Sequence, residues 1–245
     1  SKGFMPGPGD AESYNSERVS YLKEYRNHIK SVDPNAVMIC EHFVWSENYD
    51  LGKAGIKVWQ NMNEAFCESA MGWMGSKASF DGLIDSGLPF GTLVGYMESH
   101  DEERTMSAAE QYGDDRVKAS YELRLDRAGI NAAFFLLTQG PKMIWQMGEL
   151  GYDYNKWCTP DGVDKTGTGE YETSRKPVKW DYLQDAERKK VYDVYCAMNR
   201  LRNNNPDLFG KTVNFTWQPS GWPLKTFELT SGSKKVYFSP LSYIF

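Results

Sequence analysis

The chain has 245 residues, is 40% hydrophobic and 25% charged, and carries a net charge of −5 with a pI of about 5.4. These proportions describe a globular protein with a real core. No basic stripe argues for a nucleic-acid footprint, and no apolar run is long enough to span a bilayer. Four widely spread cysteines, Cys40, Cys67, Cys158 and Cys196, read as free buried thiols rather than a disulfide framework. The three histidines lack paired-ligand spacing, so no metal site is predicted from them.

Ser1-Lys2-Gly3-Phe4 has no initiator Met, no charged n-region and no apolar h-region, and reads as an interior beginning. The first helix is predicted from about Asn15 to Ser31, with Val19, Leu22 and Ile29 on one face and Arg18, Lys23 and Glu24 elsewhere. Asp33-Pro34-Asn35 stops it, and Val37 to Cys40 reads as a strand. Residues 42 to 55 are mixed and polar. Ile56 to Met62 is the next strand, feeding a weaker helix near Glu64 to Met74. A Gly- and Ser-containing segment, Gly75 to Gly91, leads to a strand over Thr92 to Met97.

After Asp101 a polar loop is expected, then a helix capped by Asp114 or Asp115 and running to about Thr138. Gly140-Pro141 ends it, and Met143 to Gln146 is the fourth strand. A polar excursion spans Gly148 to Trp180, and a last long helix runs from about Asp185 to Asn203. From Asn203 the texture changes to alternating stretches, Thr212 to Trp217, Leu224 to Leu229 and Lys235 to Phe238, which predict antiparallel strands. An eight-stranded α/β barrel needs about 250 residues and eight strand–helix units. Four strands precede the β module here, and the chain opens on a helix. The predicted fold is therefore α/β: the second half of a (β/α)8 TIM-type barrel over 1–205, then a partial antiparallel β domain over 206–245.

Two carboxylates stand out, because each follows a short apolar strand: Glu41 after Val37-Met38-Ile39-Cys40, and Asp101 after Leu93-Val94-Gly95-Tyr96-Met97. In parallel α/β folds, ligand-binding groups gather at the carboxyl ends of the strands. Two carboxyl groups there, in a chain rich in Trp and Tyr, suggest acid/base or nucleophilic work on a sugar.

The stretch from Ser1 to Leu208 resembles the catalytic barrel of the α-amylase family of retaining glycoside hydrolases. The likeness is densest in Met38-Ile39-Cys40-Glu41-His42-Phe43, in Tyr96-Met97-Glu98-Ser99-His100-Asp101-Glu102-Glu103-Arg104, and in Ile144-Trp145-Gln146-Met147-Gly148-Glu149-Leu150-Gly151-Tyr152. Arg175-Lys176-Pro177-Val178-Lys179-Trp180 looks like the close of such a barrel. The resemblance implies that Glu41 is the general acid/base on the fifth strand. It makes Asp101 the third carboxylate, after the seventh strand, binding ring hydroxyls of the distorted sugar. His100 would hydrogen-bond the same sugar, Lys2 would contact the leaving-group sugar, and His42 is counted with them. Trp45, Tyr49, Tyr152, Tyr154 and Trp157 are candidate stacking platforms.

The family's nucleophile is an Asp at the end of the fourth strand, three residues before a Lys. Lys2 fits that Lys, which puts the nucleophile two residues before Ser1, together with the N-terminal half of the barrel. The chain alone is therefore expected to hydrolyse nothing. Many family members carry a His after that Lys, whose carbonyl helps hold calcium. Gly3 stands there instead, so calcium is possible in the parent but its usual site is altered. The implied partner is an α-glucan oligo- or polysaccharide, cleaved with retention and α-1,4-linked as in starch or glycogen. Transglycosylases and branching enzymes share these motifs, and a non-catalytic glycan-binding barrel is the rival from another class. The compartment is not legible, with a secreted or periplasmic one favoured.

Overall fold

In the computed structural model, residues 1–3, 10–84, 87–211, 214–218 and 225–239 are described. The chain divides into two units, one of residues 1–60, 83–95 and 140–142, the other of 61–82, 96–139 and 143–245.

The first unit begins with α1, Ser16–Val32. Asn15 caps it, its side chain accepting from the backbone N–H groups of Glu17 and Arg18. Val19 and Leu22 bury as expected, but so does Arg18, which is fully enclosed. Strand β1 is shorter than predicted, Ile39–Cys40 only. The mixed, polar stretch after it holds a 3-10 turn over Trp45–Glu47 and the short helix α2, Asn48–Lys53. Strand β2, Lys57–Asn61, runs parallel to β1, with Ile39 opposite Lys57 and Cys40 opposite Val58. Strand β3, Leu93–Tyr96, follows, and the fourth, β4, is Lys142–Met143, earlier than the predicted Met143 to Gln146. The sheet order is β1-β2-β3-β4. Val58 N–H donates to Thr92 O at 2.9 Å and Met62 N–H to Tyr96 O at 3.1 Å, an equal advance along both chains that fixes β2 and β3 as parallel. The core of this unit gathers Val19, Leu22, Cys40, Leu51, Ile56, Val58 and Leu93. Gly52 lets α2 approach closely: a β-carbon there would stand 2.2 Å from Thr92 Oγ1.

The second unit carries the longer helices. Helix α3, Asn63–Met71, ends at Gly72, whose φ of +89° is the left-handed turn that glycine adopts freely. Helix α4, Thr105–Tyr112, occupies the expected polar loop. The single helix expected from Asp114 to Thr138 is two. Asp114 caps α5, Asp115–Ala119; the chain then breaks at Ser120, whose side chain accepts from Leu123 N–H and starts α6, Tyr121–Leu137. Residues 148–180 hold no regular element beyond a 3-10 turn over Gly148–Leu150 and the start of another at Trp180, as anticipated. Asp185 caps α7, Ala186–Asn204. Strands β5 (Asn214–Gln218), β6 (Thr226–Ser231) and β7 (Lys234–Phe238) form an antiparallel sheet in that order. The strand starts expected at Thr212 and Leu224 lie outside the described residues.

Helix α6 packs on α7, and α3 on α4 and α6. An aromatic chain runs through this unit: Phe66 stacks on Phe80 (ring centroids 4.3 Å), Phe80 meets Phe134 (4.9 Å), and Phe134 meets Phe227 edge-on (5.1 Å). Phe227 stacks on Phe238 at 5.3 Å, so the β module shares the core of the helices. All four cysteines are free; Cys40, Cys67 and Cys158 are buried and Cys196 half-buried.

Candidate functional site

The residues singled out in the sequence are divided between the two units. In the first, Glu41 is the residue immediately after β1, and it is half-buried. His42 is fully buried. Its Nε2 lies 2.7 Å from Glu47 Oε2 and its Nδ1 lies 3.0 Å from Ser1 Oγ. Burial lowers the His42 pKa against the pull of the Glu47 carboxylate, so the ring is neutral at neutral pH. A carboxylate only accepts, so Nε2 carries the proton and donates to Glu47, which leaves Nδ1 an acceptor facing Ser1 Oγ, whose hydroxyl donates to Glu41 O at 2.9 Å. The ring is fully buried with Nε2 committed to Glu47, which corrects the expectation that His42 touches sugar.

Glu47 is also fully buried. Burial pushes its carboxyl up, but Arg18, the Asn15 backbone and His42 outweigh this and hold it below the usual range. Trp45 and Tyr49 are exposed, as stacking platforms must be; Lys53 Nζ lies 5.4 Å from the Tyr49 ring centre. Lys2 pairs with Glu12 at the surface, and its carbonyl accepts from Arg18 Nη1 at 2.8 Å.

In the second unit β3 ends at Tyr96, and the turn from Met97 to Arg104 presents His100 and Asp101. Their side chains pair, Nε2 to Oδ1 at 3.2 Å, and both are about half exposed to solvent. The turn is held from beneath by Glu98. One carboxylate oxygen accepts from Thr105 N–H and Thr105 Oγ1, both at 2.8 Å, and the other from Arg104 Nη1 at 2.7 Å. Arg104 Nη2 donates to Gln146 O at 2.9 Å, and the guanidinium lies 4.6 Å from the centre of the Tyr152 ring. Arg104 thus pins the turn after β3 to the loop after β4. Lys156 adds a further tie, Nζ donating to Asp101 O at 3.3 Å.

His100, Glu102 and Arg104 line a cavity of about 200 Å³, with Trp145 and Tyr154 supplying rings and Lys156, Arg175 and Lys176 supplying cations. Lys176 is a strut: its Nζ donates to the carbonyls of Lys156, Cys158 and Tyr171 at 2.6, 3.1 and 2.5 Å. Tyr152 is 1% exposed and its hydroxyl donates to Pro177 O at 2.7 Å, so it is a core residue rather than the platform expected. Tyr154 packs against it (ring centroids 5.5 Å) and does reach the cavity. Trp145, which lies 6.1 Å from the His100 ring, is the aromatic that the sequence reading quoted but gave no role.

No protein-family model and no curated protein sequence matches this chain. Solved structures do. An α-amylase from H. orenii superposes with a TM-score of 0.57 at 17% identity, covering 90% of this chain and 46% of its own. CldA, a cyclomaltodextrin glucanotransferase with a three-domain ABC distribution, gives 0.60 at 17% identity, covering 89% and 41%. A pullulanase from Klebsiella pneumoniae gives 0.60 at 13% identity, covering 88% and 34%. The chain thus spans less than half the length of these proteins. Over most of its own length it has the fold of α-amylase-type (β/α)8 enzymes, as part of the barrel followed by a small antiparallel β domain.

Proposed function

We propose that this chain is the acid/base-bearing part of a retaining glycoside hydrolase that cleaves α-glucosidic bonds in starch- or glycogen-type glucans. The observation that carries the reading is that Glu41 directly follows the carboxyl end of β1, in a fold shared with an α-amylase and a pullulanase. An Asp contributed by sequence before Ser1 attacks the anomeric carbon. Glu41 protonates the departing glycosidic oxygen, then takes a proton from the water that hydrolyses the glycosyl-enzyme. The two carboxyl groups must then stand about 5 to 5.5 Å apart. Asp101 and His100 hold hydroxyls of a bound glucosyl unit, and Trp45 and Trp145 each offer a ring face for sugar stacking.

The reading needs no calcium for its chemistry, and Gly3 carries the same kind of backbone carbonyl as a His there would, so a calcium ion in the longer protein is compatible with it.

The experiment is product analysis on maltooligosaccharides by the longer protein that carries this chain. Shorter products whose new reducing ends are α are expected. β products remove the retaining mechanism, and no turnover with intact binding favours a glycan-binding protein. A second reading, transfer rather than hydrolysis, is kept because a cyclomaltodextrin glucanotransferase is among the similar structures. Longer or cyclic products would select it. The 1–245 chain by itself is expected to hydrolyse nothing, and turnover by a verified sample would refute the upstream nucleophile.

A further inference from the structure

Two residues beyond Glu41 the backbone takes an unfavoured path. Phe43 has φ +52°, in the left-handed region where a β-carbon crowds the chain, and its side chain is 40% exposed, so ring burial does not explain the conformation. Strain of this kind persists where the surroundings over-determine it. The surroundings here are a buried charged network. The His42–Glu47 contact closes the loop over Phe43. Glu47 is gripped in turn by Arg18, whose Nη2 donates to Oε1 at 2.5 Å and whose Nε lies 3.1 Å from Oε2, and by Asn15 N–H at 2.7 Å.

The rest of the guanidinium reaches outward along the chain. Arg18 Nη1 donates to Lys2 O at 2.8 Å and to Ala11 O at 3.0 Å, and Nη2 also donates to Ser13 O at 2.8 Å. On the far side of the imidazole, Ser1 Oγ lies 2.9 Å from Glu41 O. Arg18 and Glu47 have no exposed side-chain surface at all. A buried ion pair adds little net stability over apolar packing, so stability alone does not account for three titratable groups enclosed beside one strand end.

We propose that Arg18, Glu47 and His42 are positioning residues for Glu41, holding the turn from Glu41 to Val44 in its strained form and tying it to the Lys2 turn. Cys40 and His42 are buried and Glu41 between them is half-buried, so anchoring the His42 ring fixes the stretch of backbone that carries Glu41. The proposal rests on the reading of Glu41 as the acid/base.

The test compares His42→Phe and His42→Gln with the unaltered full-length protein on two substrates. One is a maltooligosaccharide, whose sugar leaving group needs a proton. The other is an aryl maltoside with a nitrophenolate leaving group, which does not. His42→Phe should lower kcat/KM on the oligosaccharide by about 10- to 100-fold, and kcat/KM on the aryl substrate, which reports glycosyl-enzyme formation alone, by less than about threefold. His42→Gln, whose amide still donates to Glu47, should recover most of the loss. Equal losses on both substrates, or none, overturn the proposal. Should His42→Phe lose its cooperative unfolding transition, Glu47→Gln carries the same expectation. Glu41→Gln is run beside them. If it leaves oligosaccharide turnover normal, the acid/base reading fails and takes the proposal with it. If it shows the leaving-group split and the His42 variants do not, the proposal alone fails.

Discussion

The buried pair Arg104–Glu98 under the His100–Asp101 turn should be worth most when one partner is missing. The ions stand 2.7 Å apart, with 4% and 7% of their side chains exposed. Replacing Arg104 by Met leaves the Glu98 carboxylate enclosed with only Thr105 as donor, and also removes the bond to Gln146 O. Removing one member of such a pair costs about 3–5 kcal/mol. In a domain of this size that lowers Tm by roughly 6–20 °C. Glu98→Ala should lie at the upper end, because it strands Arg104 and also the first N–H of α4. The Glu98→Met, Arg104→Met double variant removes both charges, so it should cost less than the sum of the single variants by about 1–3 kcal/mol. Urea unfolding of the four proteins, followed by near-UV circular dichroism of the aromatic core, measures the cycle. Additivity within about 0.5 kcal/mol would refute the reasoning, as would a single variant costing under about 1 kcal/mol.

Two further predictions concern pH. Burial raises the Glu103 pKa, against hydrogen bonds from Arg104 N–H, Ser107 and Lys156 N–H. A raised carboxyl pKa contributes stability that is present below its unfolded value and lost as pH rises through the folded one. Glu103→Gln keeps an acceptor for both N–H groups, so it should gain stability over the parent at neutral pH and lose that gain near pH 4. An equal difference at both pH values would contradict this. Lys225 is buried with its Nζ 4.8 Å from the Phe80 ring centre, and burial, with Arg127 nearby, lowers its pKa to about 8. A depressed folded pKa means stability present above the unfolded value and lost as pH falls through the folded one. Lys225→Met should therefore stabilise the protein at neutral pH by at most about 3 kcal/mol, with the advantage shrinking as pH climbs from about 8 towards 10.4. A pH-independent difference in urea midpoint would refute it.

What was legible in the sequence is what hydrophobic periodicity and capping chemistry report. Asn15, Asp114 and Asp185 all cap the helices that follow them, because a short polar side chain before an apolar period leaves little alternative. Helix α4 was missed because its buried face is Thr105, Met106, Ser107, Ala108 and Ala109, small and polar residues that read as loop, and Arg104 at its N-cap makes no side-chain cap bond. The break at Ser120 was missed because its flanks keep a helical pattern, yet its hydroxyl captures Leu123 N–H and starts a new helix.

At the site, Glu41 and Asp101 were singled out from their strand ends and their motifs, and their roles belong to the proposed function. Arg18, Glu47 and Glu98, packed beneath these turns, were given no role, because they are charges, and charge reads as surface until partners are seen. His42 was placed with the sugar by adjacency to a catalytic candidate, whereas its side chain is fully buried against Glu47. Tyr152 was misassigned because an aromatic near a strand end can serve either the core or a sugar, and the Arg104 guanidinium over its ring decided for the core.

The measurement that tests the central claim most directly is azide rescue of Glu41→Ala in the full-length protein. With an activated aryl maltoside the variant should form a glycosyl-enzyme that water, lacking its base, attacks slowly. Added azide needs no base, so turnover should recover and the product should be the α-glycosyl azide. Near-normal hydrolysis of maltooligosaccharides by Glu41→Ala, or a rate that azide leaves unchanged, would contradict the account.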